Sequence, residues 1–259
     1  MLALLGYSDD SGTHSESEAV TVAGYISTAE QWEIFNREWG EALKEWGLEF
    51  FHMTDFANRV GKYAEWTDQE RRFRLARLVG ITNRHTLASI GTAVPKRAFD
   101  QVFSKKAKRF VGGAYGLAAT AGFLQVVHIL EPDYPSARIA YILEAGTNGS
   151  GEILKVFNWN YNDREQRPKL KLMSLKFEGK EFSPLQAADI LAYELYRLAP
   201  HAIGADVTNR PRTDNLRMLS DCKLTSWIRL EDSELMKWAR IIEVAAQHHE
   251  PAKKRGNRI

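Results

Sequence analysis

Three acidic residues stand where an acid is costly. Asp9 closes the apolar run that begins "LALLGYSD", Glu144 ends "ARIAYILE", and Asp189 lies inside "PLQAADILAYELY". A carboxylate taken out of water must be neutral, paired or bound to a cation. On a helix, Gln186, Asp189 and Tyr193 lie at i, i+3 and i+7 and share a face. Leu185, Ala188, Leu191, Ala192 and Leu195 cover much of the rest, leaving a narrow polar stripe on a helix made for the core. Each acid alone has a plainer reading: Asp9 caps a turn, Glu144 faces solvent, and Asp189 pairs with an arginine such as Arg197. Gathered at one sheet edge, they would repel one another unless a divalent cation sat among them. Hard oxygen ligands suit Mg²⁺ or Mn²⁺. One or two such ions, about 4 Å apart when paired, activate water and stabilise the leaving oxygen of a phosphodiester.

The turn "DSGT" at Asp10–Thr13 matches that of aspartic proteases. A pepsin-like enzyme needs a second copy to supply the other carboxylate, and the sequence has none. A retroviral-type protease is a small all-β dimer, whereas this chain is longer and rich in helical patterns. Phosphatases with an Asp-x-Asp-Gly-Thr turn need a second Asp where Ser11 stands. None of these readings employs Asp189.

The elements that must position the acids follow from periodicity. About residues 2–9 read as a strand, and "EAVTVAGYIS" as a second, joined to the first by the turn-rich "DSGTHSESE" in a hairpin. "TAEQWEIFNREWGEALKEWG" reads as an amphipathic helix with Thr28 as cap, Trp32, Phe35, Trp39 and Leu43 as its stripe, and Gly47 as its stop. "LEFFHMTDFANR" is a short strand or loop. Thr67 caps a second helix, and "LASIGTAVP" is a strand ended by Pro95. "GGAYGLAATAGFLQVVHIL" is a helix too apolar for the surface. "ARIAYILEAG" and "KLKLMSLKFE" are strands. "SPLQAADILAYELYRLA" is a helix with Ser183 as cap and Pro184 in the first turn. Residues 205–259 read as helical additions, with Trp238, Ile241, Ile242 and Val244 on one face of the last helix. Strand pairs first, then helices alternating with strands, give a mixed α/β domain over residues 1–204, with the 205–259 extension packed on it.

Composition sets outer limits. With 259 residues, 44% hydrophobic and 26% charged, the chain suits one large globular domain. Its net charge of +2 points to no partner. Locally, "PKRAFDQVFSKKAKRF" gathers basic residues, and such an excess can meet phosphate. One cysteine, Cys222, excludes a disulfide framework and a cysteine-rich zinc site. No stretch reads as a signal sequence or membrane span, so the expectation is a cytoplasmic protein without a membrane partner.

The segments together resemble a known family. "YSDDSG" is similar to its Asp-Glu-Ser-Gly motif, with Asp10 where Glu is usual. "GYIS" and Trp32 resemble its second strand and first helix, "FHMTDF" its His-x-x-Asp element, and "PLQAADILAYE" its Leu-Gln-x-Ala-Asp helix. The family is the prokaryotic domain-of-unknown-function family 3800, whose members resemble the ribonuclease H and retroviral integrase superfamily. The resemblance spans roughly residues 4–200. It implies a ribonuclease H-like mixed five-stranded sheet flanked by helices, with the first-strand acid at its centre and the last-helix acid facing it. It also implies a nuclease-type site using Mg²⁺ or Mn²⁺. Asp9 matches the central acid, Asp10 its neighbour, Asp189 the helix acid, and His52 and Asp55 the middle element.

On this reading Asp9, Glu144 and Asp189 hold one or two ions. Asp55 is a further ligand or orients one, or is the third carboxylate if Glu144 is not. His52 moves a proton or contacts a phosphate, and Gln186 holds Asp189 or the substrate. Neighbours on a strand point to opposite faces, so one of Asp9 and Asp10 is the direct ligand, and the choice falls on Asp9. Lys105, Lys106, Lys108 and Arg109, with Lys169 and Lys171, would line a path for a DNA or RNA backbone. Trp159 and Tyr161 could stack on bases. Two rival classes stand beside the nuclease. One is a catalytically degenerate module binding nucleic acid or protein in a defence or mobile-element system. The other is a scaffold or homo-oligomer whose interface uses the apolar helix around Gly116–Val127.

Overall fold

The computed structural model describes residues 2–198, 218–219 and 221–248. The chain is α/β, with a six-stranded mixed sheet flanked by helices. The strands are β1 (Ala3–Ser11), β2 (Ala19–Ser27), β3 (Ala88–Pro95), β4 (Arg138–Glu144), β5 (Leu172–Glu178) and β6 (Leu224–Arg229). Their order across the sheet is β5-β4-β1-β2-β3-β6. β2 runs antiparallel to β1 and β3, while the β1/β4, β4/β5 and β3/β6 pairs are parallel. β1 is therefore interior, with a strand on each side.

Helices cover both faces. On one lie α1 (Ala29–Glu45), α2 (Met53–Asn58), α3 (Asp68–His85) and α9 (Ser183–Leu198), which share a core with Ala23 and Tyr25 of β2. On the other lie α4 (Lys96–Val102), α5 (Lys105–Val111), α6 (Gly113–Leu130) and α10 (Asp232–His248), which pack with Val20 and Val22. All nine residues of β2 are buried, the outcome of a β-branched run covered on both sides. α7 (Ser150–Asn162) and the single turn α8 (Gln166–Lys169) lie between β4 and β5.

Local chemistry sets the helix ends. Thr28 accepts a bond from Gln31 N–H at the start of α1, and Thr67 forms a reciprocal capping box with Glu70 at the start of α3. The α1 stripe Trp32, Phe35, Trp39 and Leu43 is buried as its spacing dictates. α6 is long and apolar enough to cross a membrane by length and composition, but 61% of it is buried inside the protein, against β2 and β3. Most of the stretch around Gly116–Val127 is buried there, while Leu124 stays 41% exposed.

Four expectations are corrected. The sheet has six strands, not five. The sixth, β6, falls in the segment read as a purely helical extension and pairs in parallel with β3. "LTSWIR" is short and mostly half-exposed, so it carries no alternation to announce it. "HMTDFAN" contains the helix α2 rather than a strand or plain loop. On α10 the inward face is Leu235, Ala239, Ile242 and Ala246, while Ile241 and Val244 are exposed.

Candidate active site

The site forms at the carboxyl end of β1. On this strand Leu5 and Tyr7 pack toward the α1/α9 core and Leu4 toward the opposite face. The same alternation aims Asp9 at α9 and Asp10 away from it. Immediately beyond, Gly12 takes a left-handed φ of 78°, and a Cβ there would meet Ala19 O and the Tyr196 ring. The chain thus turns sharply after the two acids, where only glycine fits.

Asp9 is 2% exposed. Its Oδ1 accepts the Asp10 N–H at 2.7 Å. Its Oδ2 is buried, and no donor among the described residues reaches it. Asp9, Asp10 and Glu144 each present an oxygen, and these oxygens lie within 4.8 Å of one another. Burial pushes Asp9 well above the usual carboxylate range; a hydrogen bond shared with Glu144 when one of the two acids carries a proton, and the charges of Asp189 and Glu144, push it further, against the pull of Lys180. Burial also raises Asp10, offset in part by the hydroxyls of Thr147 and Thr13. The Thr147 hydroxyl donates to Asp10 Oδ1 at 2.6 Å.

Asp189 faces this group from α9 and is 6% exposed. Its Oδ2 accepts the N–H of Met53, the first residue of α2, at 2.7 Å. It is not paired with Arg197, whose guanidinium donates instead to the Tyr193 hydroxyl. Burial raises the Asp189 carboxyl, while Lys180, the Met53 N–H and His52 pull it down. Lys180 completes the group, with Nζ 3.3 Å from Glu144 Oε1. Burial alone would lower its ammonium, but Asp189, Asp9 and Glu144 together outweigh that and raise it.

Gln186 bonds to neither Asp189 nor an open surface. Its Oε1 accepts from Trp39 Nε1 and from Phe51 N–H, both at 2.9 Å, and its Nε2 donates to Lys180 O at 2.9 Å. It thus pins α1, the loop before α2 and the loop carrying Lys180 to one point. His52 Nδ1 pairs with Asp55 Oδ2 at 2.9 Å. The Asp55 side chain is 41% exposed and lies outside the three-carboxylate group. Asp10, not Asp55, joins Asp9 and Glu144.

The basic residues divide. Lys105, Lys106 and Arg109 are exposed on α5, whereas Lys108 is held by Asp100 at 2.7 Å. Lys171 cannot line a surface path: it is 1% exposed, bonds the carbonyls of Tyr134 and Pro135, and pairs with Glu131. Lys169 lies 3.7 Å from Glu165. Tyr161 stacks on Phe157 and carries the Arg167 guanidinium, and Trp159 lines an apolar cavity with Phe110 and Trp238.

Sequence reasoning missed Lys180 and Thr147. Lysines in loops are common, and "AGTNGSG" reads as turn chemistry alone. Compared with protein-family models, curated proteins and solved structures, the chain has no match.

Proposed function

We propose that the protein is a Mg²⁺- or Mn²⁺-dependent nuclease that hydrolyses a phosphodiester linkage of DNA or RNA. The observation that carries this reading is Asp9 Oδ2, a buried carboxylate oxygen without a donor, within a group of three carboxylates whose oxygens lie within 4.8 Å. With Asp189 there are four acids against one ammonium, Lys180. An oxygen-only donor set left with excess negative charge suits a hard divalent cation. Asp9, Asp10 and Glu144 would hold it, with Asp189 beside them. When bound, such a cation lowers the pKa of water and stabilises charge on the phosphoryl oxygens.

The chain's own residues supply position. The parallel β1/β4 pair brings Glu144 level with Asp9, α9 carries Asp189 to the same rim, and Gln186 fixes the Lys180 loop. His52, oriented by Asp55, stands near enough to Asp189 to favour its charged form, and so is placed to exchange a proton at the rim. The mixed sheet, with β1 interior and the α9 acid facing it, supports a ribonuclease H-like fold. Likeness to the domain-of-unknown-function family 3800 rests on the sequence motifs.

One observation favours a second reading, the catalytically degenerate module. Lys180 sits against Glu144 and puts a cation within the acid cluster without any metal. Titration calorimetry with Mn²⁺ separates the two. The nuclease reading expects binding that Asp9→Asn abolishes, together with cation-dependent cleavage of labelled DNA or RNA that the same variant lacks. No heat at millimolar Mn²⁺ and no cleavage of either polymer would leave the module.

A further inference from the structure

Thr13 and Thr147, whose hydroxyls serve Asp10, also line a cavity of about 560 Å³. Its walls include Lys96, Lys108, Asp100, Asn148 and the Gly112-Gly113 turn. The cavity therefore opens beside the carboxylate group. Two lysines against one acid give the cavity lining the opposite sign of charge.

Of its two lysines, Lys108 is neutralised by Asp100. Lys96 is not. Its ammonium donates to the His14 carbonyl and the Ser17 hydroxyl, both neutral acceptors, and among the described residues no carboxylate forms an ion pair with it. Asp100 acts on it only at longer range, and burial holds the ammonium below the usual lysine range. A half-buried cation with neutral partners favours an incoming anion. The backbone adds to this. Gly112 and Gly113 take successive left-handed φ values of 81° and 73°, and α6 begins there without a side-chain cap. Ala114 and Tyr115 of its first turn line the cavity, and the first N–H groups of a helix lack intrahelical partners.

We infer that this cavity binds a backbone phosphate of the nucleic-acid strand adjacent to the linkage that is cut, with Lys96 as its charged contact. The inference rests on the nuclease reading and adds to it a strand contact beyond the linkage that is cut. A lone diester would have nothing to place in the cavity. A phosphate seated beside Asp10 also sets the register of the strand against the carboxylates, which is how backbone contacts work.

The test is fluorescence anisotropy of a labelled single strand with Ca²⁺ supplied, its integrity checked on a gel, across a salt series. Lys96→Met is expected to weaken binding roughly tenfold and to reduce the salt slope by about one, with Lys96→Arg retaining affinity. Asn148→Asp, an exposed change that places a negative charge on the wall, should weaken binding comparably and covers the case in which Lys96→Met disturbs the Ser17 turn. Lys105→Met, outside the cavity, should cost much less. Wild-type binding in Lys96→Met and Asn148→Asp, or an equal loss in Lys105→Met, overturns the inference. Its failure is distinct from that of the nuclease reading. Cleavage that persists with unchanged affinity in Lys96→Met removes the cavity alone. Lys96-dependent binding with no cleavage of any strand removes the hydrolysis alone.

Discussion

Lys180 Nζ lies 3.3 Å from Glu144 Oε1, and its side chain is 32% exposed. It is the cation that lets Asp9, Glu144 and Asp189 share one rim in the protein alone, since each of the three raises its ammonium. Lys180→Met should therefore destabilise the metal-free protein by about 1–2 kcal/mol, a buried-pair cost reduced by solvent screening. The same variant should bind Mg²⁺ more tightly, because the competing positive charge is gone. Thermal melts with and without Mg²⁺ measure both. A variant that is less stable and also weaker for Mg²⁺ would show that Lys180 does not compete with the ion.

Asp9 gives the opposite sign. Burial raises Asp9, Asp10 and Asp189 above their ordinary range. A carboxyl whose folded pKa lies above its unfolded value, about 3.9 for Asp, binds more protons in the native state. Stability from these groups is then greatest in acid and falls as pH rises from the unfolded through the folded value, with the cost fully present above it. Asp9→Asn removes that cost. Its amide oxygen keeps the Asp10 N–H, and its NH₂ replaces the orphaned Oδ2. The metal-free variant should melt a few degrees higher than wild type at neutral pH, with the gap closing toward pH 4 as the wild-type acid becomes protonated. A gap that does not change with pH contradicts this assignment. Mg²⁺ should stabilise the wild type by about 2.7 kcal/mol at a hundredfold excess over its Kd and leave the variant unmoved.

The membership of the carboxylate group is tested by a pair of variants. Asp10→Asn removes one of the three clustered oxygens and should lose most of the Mg²⁺-induced rise in Tm. Asp55→Asn, at the exposed end of its pair with His52, should retain it, with a change in intrinsic stability within about 0.5 kcal/mol. Equal losses would place Asp55 among the ligands.

These residues also show what the sequence makes legible. β1 and α1 could be read because each carries a period matched to its burial, β2 because it is rich in β-branched residues between turn-forming segments, and α3 because Thr67 caps it. Asp9, Glu144 and Asp189 stood out because an acid that ends an apolar strand or interrupts an apolar helix face has a cost needing explanation. Asp10 was set aside by the alternation of side chains along a strand. That rule governs direction within the sheet, but the turn at Gly12 ends the strand directly beyond Ser11, so both acids reach the rim. Lys180 carried no signal, because a loop lysine is chemically ordinary until the fold brings three acids to it. β6 was missed because an edge strand that stays mostly half-exposed needs only a short, weakly patterned run.

Gln186 offers the sharpest test of how the site is held. It spans 147 positions to Trp39 and 135 to Phe51, and it anchors the Lys180 carbonyl six residues before it. Gln186→Leu fits the volume and suits an apolar helix, so packing alone expects little change. It strips partners from the Trp39 indole N–H, the Phe51 N–H and the Lys180 carbonyl, each of which then bears a desolvation penalty. The variant should lose about 3–5 kcal/mol and melt about 2–4 °C lower for each kcal/mol. Hydrogen exchange should be faster at Phe51 and through 179–182, while the β2 and β3 amides stay protected below the global unfolding limit. A melt within a degree of wild type would show that these loops are held by their own packing and that Lys180 reaches Glu144 without the amide's help.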